Sequence, residues 1–99
     1  MEFSFRTQLW LHDDQSAWHF LTVPRGIADE IDDLVGDTRA GFGSVKVAVE
    51  IGSTSWRTSI FPSKLARSFV LPVKKSVRVD EDLFDGDIVL VSMEVLLGS

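Results

Sequence analysis

Residues 45–61, VKVAVEI-GST-SWRTSIF, constrain the fold more than any other part of this chain. Apolar and polar side chains alternate through VKVAVEI, the period-two pattern of a strand with one buried face. Gly52-Ser53 suits a two-residue hairpin turn with glycine in its first position. With that turn Val49 faces Trp56, Val47 faces Thr58 and Val45 faces Ile60 inside. Lys46, Ala48 and Glu50 then share the outer face with Ser55, Arg57 and Ser59. A four-residue loop keeps both faces but sets Glu50 directly opposite Arg57. Glu50 and Arg57 are expected to form a cross-strand ion pair, worth little where exposed. A one-residue slip would turn every valine to water, so the pattern specifies its own register.

The flanking segments read in the same way. FSFRTQLWL (3–11) puts Phe3, Phe5, Thr7, Leu9 and Leu11 on one face, and the polar turn HDDQS (12–16) follows. AWHFLTV (17–23), rich in aromatic and β-branched residues, reads as its hairpin partner. Pro24 opens a helix, with Ile27, Ile31 and Leu34 on one stripe and Gly36 as its stop. PSKLAR (62–67) is a basic loop, SFVL (68–71) a short strand ended by Pro72, and VKKSVRV (73–79) a two-turn helix with Val73 and Val77 inward. IVLVSMEVLL (88–97) is a final strand whose first half, apolar on both faces, is expected to lie centrally. A weak internal echo also appears. Each half carries a hairpin strand, an aromatic strand (HFLTVP, SFVLPV), a proline and a short helix. Together these elements predict one mainly β domain over 1–99, a small barrel of six to seven strands with two short helices.

Ninety-nine residues, 44% of them hydrophobic, suffice for one core. No cysteine is present, which excludes disulfide and thiolate chemistry. No apolar run approaches the ~20 residues of a membrane helix, and the opening MEFSFRTQLWLHDD lacks a secretory pattern, so a soluble, cytoplasmic protein is expected. The net charge of −5 opposes general nucleic-acid binding, because phosphate contacts supply most of that affinity. Charge is unevenly placed, however. Residues 51–79 hold six basic groups and no acid, and residues 80–99 hold six acids and no base, so the blocks are expected largely to neutralise each other.

WHFLTVP, RAGFGSVKV, STSWRTSIFP and FVLPVKKSV followed by DGDIV resemble, in that order, a widespread prokaryotic domain family of unknown function. Its usual spellings are close to WHFVTLP, GFGSVRV, TWRTSLFP and LPVK, and the match runs over about residues 3–95. The resemblance implies a double-split β-barrel, similar to that of AbrB and MazE transcription-factor domains but closed within one chain. It does not transfer DNA binding, since function sits in sites and not in folds. Family members occur fused to other small domains, which implies a binding or accessory role, and the family supplies no catalytic residues to carry over.

The residues themselves point the same way. GFGS feeds a strand, whereas a phosphate-cradling glycine loop must feed a helix N-terminus, so it reads as a turn with Phe42 as a core plug. His12 beside Asp13 and Asp14 lacks the spacing of a metal site, and His19 between Trp18 and Phe20 reads as a packed strand histidine. No nucleophile and base stand in a recognisable constellation, so no catalytic residue, metal or cofactor is expected. The tryptophans read first as core. The favoured site is a small-ligand or peptide site at the barrel mouth, with charge from Arg57, walls from Trp18, Trp56, Phe61 and Phe42, and hydrogen bonds from Arg39 and the GFG backbone. The rival is nucleic-acid binding through Lys64, Arg67, Lys74, Lys75 and Arg78. The partner is unknown, and a monomer or weak homodimer is expected.

Overall fold

The computed structural model describes residues 1–12, 17–36 and 43–97. Six strands close into an antiparallel barrel: β1 (Glu2–Leu11), β2 (His19–Thr22), β3 (Val45–Ile51), β4 (Thr54–Ser63), β5 (Ser68–Pro72) and β6 (Ile88–Val95). Their order around the barrel is β1-β2-β5-β4-β3-β6. Helix α1 (Arg25–Val35) follows β2, and α2 (Lys75–Asp80) follows β5.

The β3–β4 hairpin takes the two-residue register, with Val45 opposite Ile60, Val47 opposite Thr58 and Val49 opposite Trp56. Gly52 supplies the positive φ of 58° that this turn requires, while Ser53 stays outside the left-handed region. One consequence corrects the expected ion pair. Arg57 faces Ala48 and Glu50 faces Ser55, so the two charges are diagonal neighbours and not a directly opposed pair.

The interior is built in rungs across the strands. Leu9, Leu21 and Leu71 lie side by side on β1, β2 and β5, all fully buried. Phe3, Met93 and Val49 form another rung, which runs on to Trp56. Full burial of such a side chain is worth about 1.5–3 kcal/mol each. Among the described residues every buried side chain with large volume is apolar, and no polar or charged residue is buried.

Both helices add side chains to the core cluster. In α1 the fully buried positions are Ala28, Ile31 and Val35, with Ile27 and Leu34 packed at the flanks, so the inner stripe is centred one step beyond the expected Ile27-Ile31-Leu34 line. Pro24 is its N-cap, and Gly36 closes it with φ 49°. Helix α2 starts two residues later than Val73, although Val73 and Val77 both point inward as expected. Strand β4 runs through Pro62 to Ser63, further than the alternation alone shows, because Pro62 pairs in register with Phe69.

One expectation holds only in part and another fails. Strand β6 does sit between β1 and β3, but Ile88 and Leu90 on its outer face are exposed, since only the inner face of a closed barrel is covered. The tryptophans are not core. Trp18 is 57% exposed, and Trp10 and Trp56 are half-buried, with Trp56 packed against the core from the barrel rim. Trp10 lies outside the barrel, where its Nε1 donates to Thr22 Oγ1 (3.0 Å) and its ring rests on Phe20 (5.2 Å).

The internal echo is a structural repeat. Exchanging β1, β2, α1 and β3 with β4, β5, α2 and β6 leaves every neighbour relation of the barrel unchanged. The Val23 amide donates to the Phe69 carbonyl (2.9 Å), and the Val73 amide donates to the His19 carbonyl (3.0 Å), a matched pair that equates His19 with Phe69 and Val23 with Val73. On the same equivalence Ala17 matches Arg67, and both adopt positive φ, 56° and 52°.

Candidate functional site

Antiparallel pairing of β2 with β5 brings the start of one beside the end of the other. Trp18 and His19, which enter β2, therefore meet Pro72, Val73 and Lys74, which leave β5. Two backbone hydrogen bonds fix the junction: the His12 amide donates to the Trp18 carbonyl (2.8 Å), and the Val73 amide to His19. Strand β4, paired to the other side of β5, adds Trp56, Arg57 and Thr58. The result is a cleft of about 320 Å³ at the barrel rim.

Its chemistry is one-sided. Arg57, Lys74, Lys75 and Arg78 all line it, and among the described residues no lining residue is a carboxylate. Lys74 and Arg78 are four residues apart, hence on one face where α2 begins. Arg78 Nε donates to the Val73 carbonyl (3.2 Å), which uses one of five guanidinium donors and holds the group in place. Trp18 forms the outer wall, its ring stacked on Phe20 at 5.9 Å and 25°. His19 Nδ1 lies 3.0 Å from the Ala17 carbonyl, which can only accept, so Nδ1 is the donor in that contact.

The equivalent place in the other half is a groove of about 220 Å³ with a different lining. Phe69 stands where His19 stands here and is buried, and Ala28, also buried, occupies the position of Arg78. Trp18 and Arg78 of the cleft, matched by Ser68 and Ala28 in the other groove, thus arise where the repeat has diverged.

Two sites that the sequence set against each other are partly one. The structure brings Trp18, Trp56 and Arg57 together with Lys74, Lys75 and Arg78. It leaves out Phe61, which is exposed further along β4. It also leaves out Lys64 and Arg67, which line a separate groove with Asp29 and Asp32 of α1, where opposite charges meet. Arg39 and Phe42 fall outside the described residues, as do Asp13 and Asp14 beside His12. His19 was missed as a lining residue. The echo of HFLTVP in SFVLPV was the available signal, because pairing the two copies antiparallel places His19 beside the residues that follow the second.

A second groove lies across Arg57. It is lined by Glu2, Glu50 and Glu94 on β1, β3 and β6, so Arg57 marks the boundary between an acidic sheet face and the basic cleft. Among the described residues no group of three His, Asp or Glu side chains is placed to hold a metal ion, and no helix is long and apolar enough to cross a membrane. No curated protein matches the chain. One family model, described as a domain of unknown function, matches residues 5–93.

Proposed function

The chain belongs to that family, DUF1905, and from this premise we propose that it is a small binding or accessory module whose cleft takes a small anionic ligand. The observation that carries the reading is the convergence of four cations and two tryptophans on one open cleft with no carboxylate among its described lining residues. A concave site with apolar walls and a few convergent polar groups is the usual form of a ligand pocket, and about 320 Å³ lies at the small end of that class. The divergence of the two halves adds support. The equivalent groove mixes Lys64 and Arg67 with Asp29 and Asp32, whereas the described lining of this cleft joins tryptophans to cations without a carboxylate. The same two-fold topology supports reading the barrel as the double-split, AbrB/MazE-like type.

The test is a ligand screen of small anions by thermal shift, repeated on Arg57→Ala and Trp56→Ala. Hits should stabilise the parent by RT ln(1 + [L]/Kd) and lose that gain in both variants. Equal binding by parent and variants would remove the site from the cleft.

Nucleic-acid binding is the second reading, favoured by Lys74, Lys75 and Arg78 beside the exposed ring of Trp18. It has lost Lys64 and Arg67 to the groove with Asp29 and Asp32. Contacts to phosphates would make log affinity fall with log salt by about 0.7 per contact for single strands. Absence of binding at low salt would dismiss it.

A further inference from the structure

Resting on the anionic-ligand reading, the cleft's chemistry narrows the class of ligand. Four cations, with no carboxylate among the described lining residues, are more than one carboxylate can satisfy, whereas a phosphate monoester brings up to two charges and three acceptor oxygens. Arg78, held at Nε by the Val73 carbonyl, presents its remaining donors as a fixed fork, and Lys74 beside it acts as a point charge. That combination suits phosphate.

The walls ask for something else. Trp18, stacked on Phe20, is an ordered flat surface that is mostly open to solvent, and Trp56 stands across the same cleft. A planar ring seated there would stack on Trp18, an interaction sequence-tolerant for nucleobases and sensitive to removal of the platform. His19, its Nδ1 held by the Ala17 carbonyl, adds the ring nitrogen Nε2, fit for a hydrogen bond to a group between ring and phosphate. About 320 Å³ holds one ring and one phosphate group, and not a chain of nucleotides.

We propose that the cleft binds a free nucleoside monophosphate, with the phosphate on Lys74, Lys75, Arg78 and Arg57 and the base on Trp18. Isothermal titration calorimetry of the full chain would use four probes: a panel of the common nucleoside 5′-monophosphates, the matching nucleosides, inorganic phosphate and a single-stranded decanucleotide. At least one monophosphate is expected to saturate at one per chain, tenfold or more tighter than its nucleoside or inorganic phosphate. Trp18→Ala should bring that monophosphate down to the level of inorganic phosphate. The Lys74→Glu, Lys75→Glu pair should weaken it more than tenfold and leave the nucleoside unchanged. All three positions are exposed, so the circular-dichroism melts of these variants should match the parent.

Inorganic phosphate binding as tightly as every monophosphate would overturn the role of the ring. A decanucleotide bound more than tenfold tighter than any monophosphate would overturn the free ligand in favour of nucleic acid. If the screen above finds aromatic carboxylates in this cleft while no monophosphate binds, the nucleotide proposal fails and the anionic-ligand reading stands. If no anion of any kind binds, both fall.

Discussion

Gly52→Ala tests how the β3–β4 turn is held. Gly52 sits at φ 58°, where an L side chain costs about 1 kcal/mol or somewhat more. Its absent Cβ also leaves room for Glu81, the residue that caps the end of α2. An alanine Cβ would lie 2.8 Å from Glu81 Cδ and would collide with Oε1, so the carboxylate must swing away. That movement breaks a 2.6 Å hydrogen bond donated by Thr54 Oγ1 and a weaker one from Ser53 Oγ (3.3 Å), both to Glu81 Oε2. Hydrogen bonds to charged groups contribute about 1.5–3 kcal/mol, and partial exposure here reduces the loss to roughly 1–2 kcal/mol. The sum is about 2–3 kcal/mol, which for a domain near this size lowers the melting temperature by roughly 10–20 °C.

A double-mutant cycle by urea denaturation separates the two parts. Glu81→Ala alone should cost about 1–2 kcal/mol. In that background Gly52→Ala should cost only the backbone contribution, about 1 kcal/mol. An equal cost of Gly52→Ala in both backgrounds would show that the turn and the carboxylate are not coupled, and would refute this account of how α2 is tied to the hairpin.

Other outcomes follow from burial and register. Leu71→Ala empties one end of the Leu9-Leu21-Leu71 rung and should cost about 2–5 kcal/mol by denaturant titration. Leu65→Ser, at a side chain 96% exposed, should stay within about 0.5 kcal/mol of the parent in the same assay. Glu2 and Glu94 face each other directly across β1 and β6, so Glu2→Lys should stabilise by about 0.2–1 kcal/mol. That gain should shrink in high salt, and an increase with salt would contradict its electrostatic origin.

The strand faces of β1, β3 and β4 were legible because a half-buried strand must alternate, and VKVAVEI leaves no second way to place its valines. The outer face of β6 was not. Ile88 and Leu90 look buried by composition, and only barrel closure shows that nothing covers them. The candidate site was legible in pieces. Trp56 and Arg57 followed from the hairpin, and the cations at 74, 75 and 78 from the charge block, but nothing local joined the two sets.

What the chain's own pattern determined is therefore the list of strands, the inward side of most of them and the helices that follow Pro24 and Pro72. What three dimensions decided is which strand ends become neighbours. Pairing β2 against β5 set Trp18 and His19 beside Lys74, more than fifty positions away along the chain. Alternation is imposed residue by residue through exposure to water, whereas that meeting depends on how the whole sheet closes.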